Sequence, residues 1–111
     1  MIRFHPPGAL AANVRRASQL LKAMANDRRL VILMHLAGGE KSVGQLERLV
    51  GLSQSALSQH LARLRREKVV ATRRNKQTIY YSLASAEAEA VMASLQEAYR
   101  AADEAERGAA D

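Results

Sequence analysis

The sequence predicts a mainly α-helical domain that carries one small β-hairpin, and three observations predict it. Apolar residues recur at spacings of three and four through most of the chain, the period of a helix with one buried face. Between residues 69 and 83 that spacing gives way to Val69-Val70-Ala71-Thr72 and Thr78-Ile79-Tyr80-Tyr81-Ser82-Leu83, runs suited to strands. Around Gly51, two short helical stripes are joined by a turn of three residues. The 111 residues suffice for one domain, which buries roughly two-thirds of its unfolded surface.

Each element has a local cause. Residues 1–8 hold both prolines and a glycine and read as a flexible arm. From Ala9 to Met24, the residues Leu10, Val14, Ala17, Leu21 and Met24 form the first helical stripe. Asn26 is placed to cap a second helix over about 27–37. Leu30, Val31, Ile32, Leu33, Met34 and Leu36 make that helix apolar over most of its circumference, so it is expected at the centre, with Met34 in the core. Gly38-Gly39 ends it.

Ser42 starts a third helix, with Gln45 at capping-box spacing and Val43, Leu46, Leu49 and Val50 on its buried face. Gly51 closes it, Leu52 plugs the corner, and Ser53 caps a fourth helix running to about Glu67 with Leu57, Leu61 and Leu64 inward. Arg73-Arg74-Asn75-Lys76-Gln77 is the expected basic turn between the two strands. Ser85 caps a last helix to about Glu104, with Ala88, Val91, Met92, Leu95 and Tyr99 on its apolar face. The expected division is therefore an arm over 1–8, one domain over 9–104, and a frayed acidic tail over 105–111. The order α-α-α-α-β-β-α, with a basic hairpin directly after a helix-turn-helix, is winged helix-turn-helix architecture.

Composition excludes several function classes. With no Cys there is no disulfide, no thiolate metal site and no thiol redox chemistry. No apolar run approaches the ~20 residues of a membrane span, and no leader pattern opens the chain, so a cytoplasmic protein without membrane contact is expected. His5, His35 and His60 lack metal-ligand spacing, and no nucleophile–base set or Gly-rich phosphate loop is present. Neither a cofactor nor an enzyme activity is expected.

The charge is uneven. Residues 1–84 carry 15 basic and 4 acidic groups, net +11, whereas residues 85–111 carry 2 basic and 7 acidic, net −5. The basic part suits a polyanion. Turned at 100° per residue, the fourth helix sets Gln54, Ser55, Ser58, Gln59, Ala62, Arg65 and Arg66 opposite its leucines. A solvated face normally mixes Glu with Lys, yet Leu52 to Arg66 contains no acidic residue. Short Ser and Ala side chains permit close approach. Gln54, Ser55, Ser58 and Gln59 are candidates to read base edges. Arg65, Arg66 and the helix start at Ser53 are candidates for phosphate. In the hairpin, Arg73, Arg74, Lys76 and Gln77 are candidates for flanking backbone or a minor groove. Of Tyr80 and Tyr81, alternation puts one toward the core and one at the surface.

The run GLSQSALSQHLARLRR over Gly51–Arg66, then VVATRRNKQTIYYSL, with AMANDRRLVILMHL before them, resembles the ArsR (arsenical-resistance repressor) family of bacterial winged-helix regulators. It is similar to that family's sulfide- and redox-responsive branch of biofilm-growth and haemolysin regulators, and to the rhizobial nodulation repressor. The resemblance covers about residues 15–100. It implies a homodimer through the first and last helices, with Leu10, Val14, Leu21, Val91, Met92, Leu95 and Tyr99 as candidate interface residues, and it implies repression at an inverted-repeat DNA operator. The amphipathic faces of those helices fit the dimer independently. The sequence departs from the family's sensing patterns. Ser42 and Gly44 stand where metal sensors place Cys, the last helix opens Ser85-Ala86-Glu87 without His, and Met34-His35-Leu36 and Tyr99-Arg100-Ala101 stand where the thiol-sensing branch places Cys. The leading expectation is a dimeric, sequence-specific repressor whose effector, if any, is unknown. The alternatives are a non-specific, nucleoid-associated DNA binder and a winged helix used to hold other proteins.

Overall fold

A computed structural model describes residues 8–110. It opens with two helices where the sequence predicts one: α1 (Gly8–Ala12) and α2 (Val14–Met24). The break has a local cause. The Asn13 side-chain amide donates to the Ala9 carbonyl at 2.7 Å, and the Asn13 backbone N–H turns instead to Leu10 at 2.9 Å. A short polar side chain thus displaces one rung of the helical ladder. Gly8 belongs to α1, and the remainder of the expected arm lies outside the described residues.

Helix α3 (Asp27–Ala37) starts where expected. The Asn26 side chain accepts the Arg29 N–H at 3.0 Å. Ile32, Leu33 and Leu36 are buried, but Met34 is 56% exposed. The expectation of Met34 in the core is thereby corrected: α3 is central, yet one of its faces stays open. Strand β1 (Lys41–Ser42) follows, and Ser42 also caps α4 (Val43–Val50) through a complete capping box with Gln45. Leu46 and Val50 are buried and Val43 packs against the core, whereas Leu49, expected on the inner face, is 47% exposed. Gly51 ends α4 at φ 72°, the left-handed conformation that glycine adopts without side-chain cost.

Helix α5 (Gln54–Arg66) begins at Ser53, whose hydroxyl accepts the Ala56 N–H at 3.1 Å, and it buries Leu57, Leu61 and Leu64. It ends without a glycine. Lys68 takes the left-handed conformation at φ 60°, its N–H bonds Arg65, and the Val69 N–H reaches back to Leu64. This is a Schellman ending, and the fully buried pair Leu64 and Val69 holds it shut.

Strands β2 (Val70–Asn75) and β3 (Thr78–Leu83) form a hairpin around Lys76-Gln77. The sheet has three strands in the order β1-β3-β2, one more than expected, because Lys41 and Ser42 pair with Tyr81 and Tyr80. Helix α6 (Ala86–Ala110) closes the chain. The Ser85 hydroxyl accepts the Ala88 N–H, and Ala88 is fully buried. The helix continues through residues expected to fray. Alanine is the strongest helix former, and Arg100 pairs with both Glu97 and Glu104, which are its neighbours on the helical surface. The core is aliphatic throughout, and no polar or charged residue is buried among the described residues. Burying each of its leucines contributes about 2 kcal/mol.

Candidate nucleic-acid interface

The three buried leucines of α5 fix which side of that helix faces outward. All seven residues of the opposite arc (Gln54, Ser55, Ser58, Gln59, Ala62, Arg65 and Arg66) are exposed. The sequence-based angular reading of this helix is therefore matched residue by residue. Ser53 plays a more limited part, since its hydroxyl is engaged in capping Ala56. What it leaves outward are the first backbone N–H groups of α5, which bear the positive end of the helix dipole.

The helix is held from below by a contact that sequence reasoning missed. Arg29 on α3 donates to the Ala23 and Lys22 carbonyls at the end of α2. Its guanidinium also lies 3.4 Å from His60 Nδ1 on α5. A guanidinium offers only donors, so Nδ1 is the acceptor and a neutral His60 carries its proton on Nε2. Burial, and then the neighbouring Arg63, hold the Arg29 pKa below its ordinary value. One residue thereby ties the end of α2, the start of α3 and the middle of α5. Nothing in the Arg28-Arg29 dipeptide distinguishes this partner from an exposed one.

In the hairpin, alternation separates two adjacent arginines. Val70 pairs with Leu83, Thr72 with Tyr81 and Arg74 with Ile79, all on the face that starts at the core and runs out along α5. Arg73 and Tyr80 pair on the other face. There Arg73 makes a two-pronged ion pair with Glu40, at 2.7 and 3.1 Å, and its guanidinium sits 4.6 Å from the Tyr80 ring centroid. Bonding to Arg73 holds the Glu40 carboxyl below its usual range and raises Arg73 in turn. Arg73, expected on flanking DNA, thus fastens the hairpin to the segment before β1. Arg74, Lys76 and Gln77 are exposed at the hairpin end, and Arg74 and Lys76 make no ion pair among the described residues. As alternation requires, Tyr81 packs toward the core and Tyr80 lies outside it.

A second exposed surface is apolar. Leu10, Val14 and Leu21 from the first two helices are 45–58% exposed, and on α6 Leu95 and Tyr99 are 39% and 69% exposed. Val91 and Met92, expected with them, pack instead against the core edge. Arg16 on α2 bonds Glu87 on α6 at 3.1 Å and fastens the two helices together. No cluster of three His, Asp or Glu residues able to hold a metal occurs among the described residues, and no described helix is long and apolar enough to cross a membrane.

These features coincide with those of known proteins. Residues 26–72 match the model of the arsR family of bacterial regulatory proteins. Over 87 residues the chain is 53% identical to the transcriptional activator HlyU of Vibrio cholerae, covering 78% of this chain and 81% of HlyU. The nodulation protein NolR of Rhizobium meliloti is 51% identical over 83 residues, 75% of this chain and 68% of NolR. Among solved structures, the transcriptional repressor BigR of Xylella fastidiosa superposes with a TM-score of 0.79 at 34% identity, covering 86% of this chain and 97% of BigR. The capped helix-turn-helix, the basic hairpin and these identities lead to one conclusion: the chain belongs to the ArsR family of bacterial regulatory proteins and is a winged helix-turn-helix transcriptional regulator.

Proposed function

We propose that the chain acts as a homodimeric repressor of an inverted-repeat DNA operator. Helix α5 enters the major groove, where Gln54, Ser55, Ser58 and Gln59 read base edges. Arg65, Arg66, Arg74, Lys76 and Gln77 neutralise or bond the backbone, and Arg73 holds the wing at its working angle. The single observation that carries this reading is the outer arc of α5, which is wholly exposed, rich in amides and hydroxyls, and free of carboxylates. An amide offers adenine a donor and an acceptor together, which a Lys or Glu does not. Such chemistry has no use in a protein that grips any DNA by charge alone, and membership of a regulator family favours the specific reading too.

Dimerisation is supported by the exposed Leu10, Val14, Leu21, Leu95 and Tyr99. A two-fold dimer sets its recognition helices one helical turn apart, about 34 Å, and so demands an inverted repeat. Release does not run through a thiol, since the chain has no Cys.

The test is selection of genomic fragments by the purified protein at about 150 mM salt, where non-specific phosphate binding is weakened. An enriched inverted repeat overlapping promoters is the expected outcome. Fragments sharing no motif would overturn operator binding in favour of a non-specific architectural role. A shared motif lying only upstream of promoters would point to activation.

A further inference from the structure

If α5 lies in a major groove and the wing in the minor groove beside it, the sugar–phosphate ridge between those grooves must pass between the two elements. The fold has a cleft at that place. It is an open cavity of about 450 Å3 lined by Ser58, Ala62, Arg65 and Arg66 of α5 and by Tyr81 of β3. No carboxylate lines it. Ser58, Ala62 and Arg65 follow one another at helical spacing, and the cleft they share with Tyr81 makes them the edge of the exposed arc nearest the sheet. Tyr81 stands on the hairpin face that runs along α5, opposite Thr72 and one pair inward of Arg74.

From this arrangement we propose that the cleft is a phosphate cradle, and that Tyr81 is a DNA-contacting residue whose hydroxyl donates to one backbone phosphate in each half-site. The proposal deepens the DNA-binding reading above and rests on it. Four of the five lining side chains carry hydrogen-bond donors, and two of those are cationic. Guanidinium groups match the geometry of phosphate oxygens, and the Tyr81 hydroxyl completes the set with a neutral donor, while Ser58 remains a base-edge reader. Ala62 supplies no side chain beyond its Cβ, which leaves the cleft open between the donors. The Tyr81 ring packs against the core, so its hydroxyl is presented by a side chain already held in place and loses little freedom on binding. The cradle also accounts for the division of labour in the wing. The face bearing Tyr81 and Arg74 meets DNA, and the face bearing Tyr80 and Arg73 is fastened to Glu40.

The experiment measures binding of the full-length protein to two duplexes, a selected operator and a scrambled sequence of equal length, across a salt series. A phosphate contact is sequence-independent, so the scrambled duplex tests the cradle even if no operator is found. Tyr81→Phe keeps the ring and removes only the hydroxyl, and its melting curve checks that the fold is intact. It is expected to weaken binding to both duplexes about tenfold, the scale of a hydrogen bond to a charged group. The salt slope should stay unchanged, because a neutral hydroxyl releases no counter-ion. Arg66→Ala should weaken both as well, and should flatten the slope by about one. On duplexes carrying one neutral methylphosphonate at successive positions, the wild-type penalty should exceed that of Tyr81→Phe at one position per half-site, the cradled phosphate, and should match it at the others. Unchanged affinity of Tyr81→Phe on both duplexes, or an equal methylphosphonate penalty in wild type and variant at every position, would overturn the cradle. Loss on the operator alone would overturn it too, since that is the behaviour of a base contact. Equal affinity of wild type for the two duplexes sinks the operator reading without touching the cradle.

Discussion

Helices α5 and α6 leave opposite things unsatisfied. Helix α5 buries its three leucines and keeps Arg65 and Arg66 without an ion-pair partner among the described residues. Helix α6 engages Glu87, Glu97 and Glu104 with arginines while exposing Leu95 and Tyr99. One helix has spare charge and hydrogen-bond donors, and the other has spare apolar area. Spare donors in a carboxylate-free setting suit a polyanion, and spare apolar area suits a second protein surface. The two helices meet the same core, so the difference lies in the residues turned away from it.

The largest effect is expected from breaking the apolar side of the comparison. Leu95→Glu combined with Tyr99→Glu places two carboxylates on the proposed dimer face. In the monomer both side chains are exposed, so the fold should persist with little change in thermal midpoint. Operator affinity should fall by about 10²–10⁴, the advantage that linking two half-site contacts confers. Sedimentation should report a monomer. A variant that stays dimeric would remove α6 from the interface.

Next comes the outer arc of α5. Gln59→Ala should cost ~1–3 kcal/mol on the operator and little on scrambled DNA, because an amide–base pair is read only where the correct base stands. Thermal stability should hardly move, since Gln59 is exposed. Equal losses on both sequences would make Gln59 a backbone contact.

Adjacent arginines in the wing give a sharper test of smaller size. Arg74→Ala should flatten the dependence of log K on log salt by about one. Arg73→Ala should change that slope less, because its charge is already neutralised by Glu40 at 2.7 Å. If both variants flatten the slope equally, Arg73 leaves Glu40 on binding DNA and becomes a phosphate contact itself.

The contrast between these arginines marks where sequence reading stops. Most of what depends on near neighbours was legible: the capping box of Ser42 and Gln45, the caps at Asn26 and Ser53, left-handed Gly51, and the leucine row that orients α5. The outer arc of α5 followed directly from that row. The local exception is the Asn13–Ala9 bond that parts α1 from α2. What depends on a distant partner was not legible. Strand β1 is two residues long and exists because Tyr80 and Tyr81 pair with it across 38 and 40 positions of chain. The Arg29–His60 contact spans 31 positions and the Arg73–Glu40 pair 33. Alternation left open which of Tyr80 and Tyr81 faces the core, and it gave no sign that Tyr81 also borders α5. The end of α5 near Glu67 was legible, but its left-handed ending at Lys68 was not, because glycine usually supplies that conformation.

The Glu40–Arg73 pair supplies the smallest expected effect, and its sign can be worked out. Arg73 holds the Glu40 carboxyl below its ordinary value in the folded chain. A carboxyl with a depressed folded pKa binds fewer protons folded than unfolded, in the interval between the two pKa values. Its contribution to stability is therefore fully present above the ordinary carboxylate range, near pH 4, and is lost as pH falls through the lower folded value. Glu40→Gln removes the charge at every pH. Wild type should be slightly more stable than the variant at pH 7, and the gap should close as the solution is acidified below the carboxylate range. Because both partners are solvent-exposed, added salt should shrink the gap as well. Melting curves of the two proteins over that pH range decide the point. A gap that persists at the lowest pH would mean that Glu40 acts through packing rather than charge. The wing would then be held by the Arg73–Tyr80 stack, and the Arg73→Ala variant, not Glu40→Gln, would be the one to loosen it.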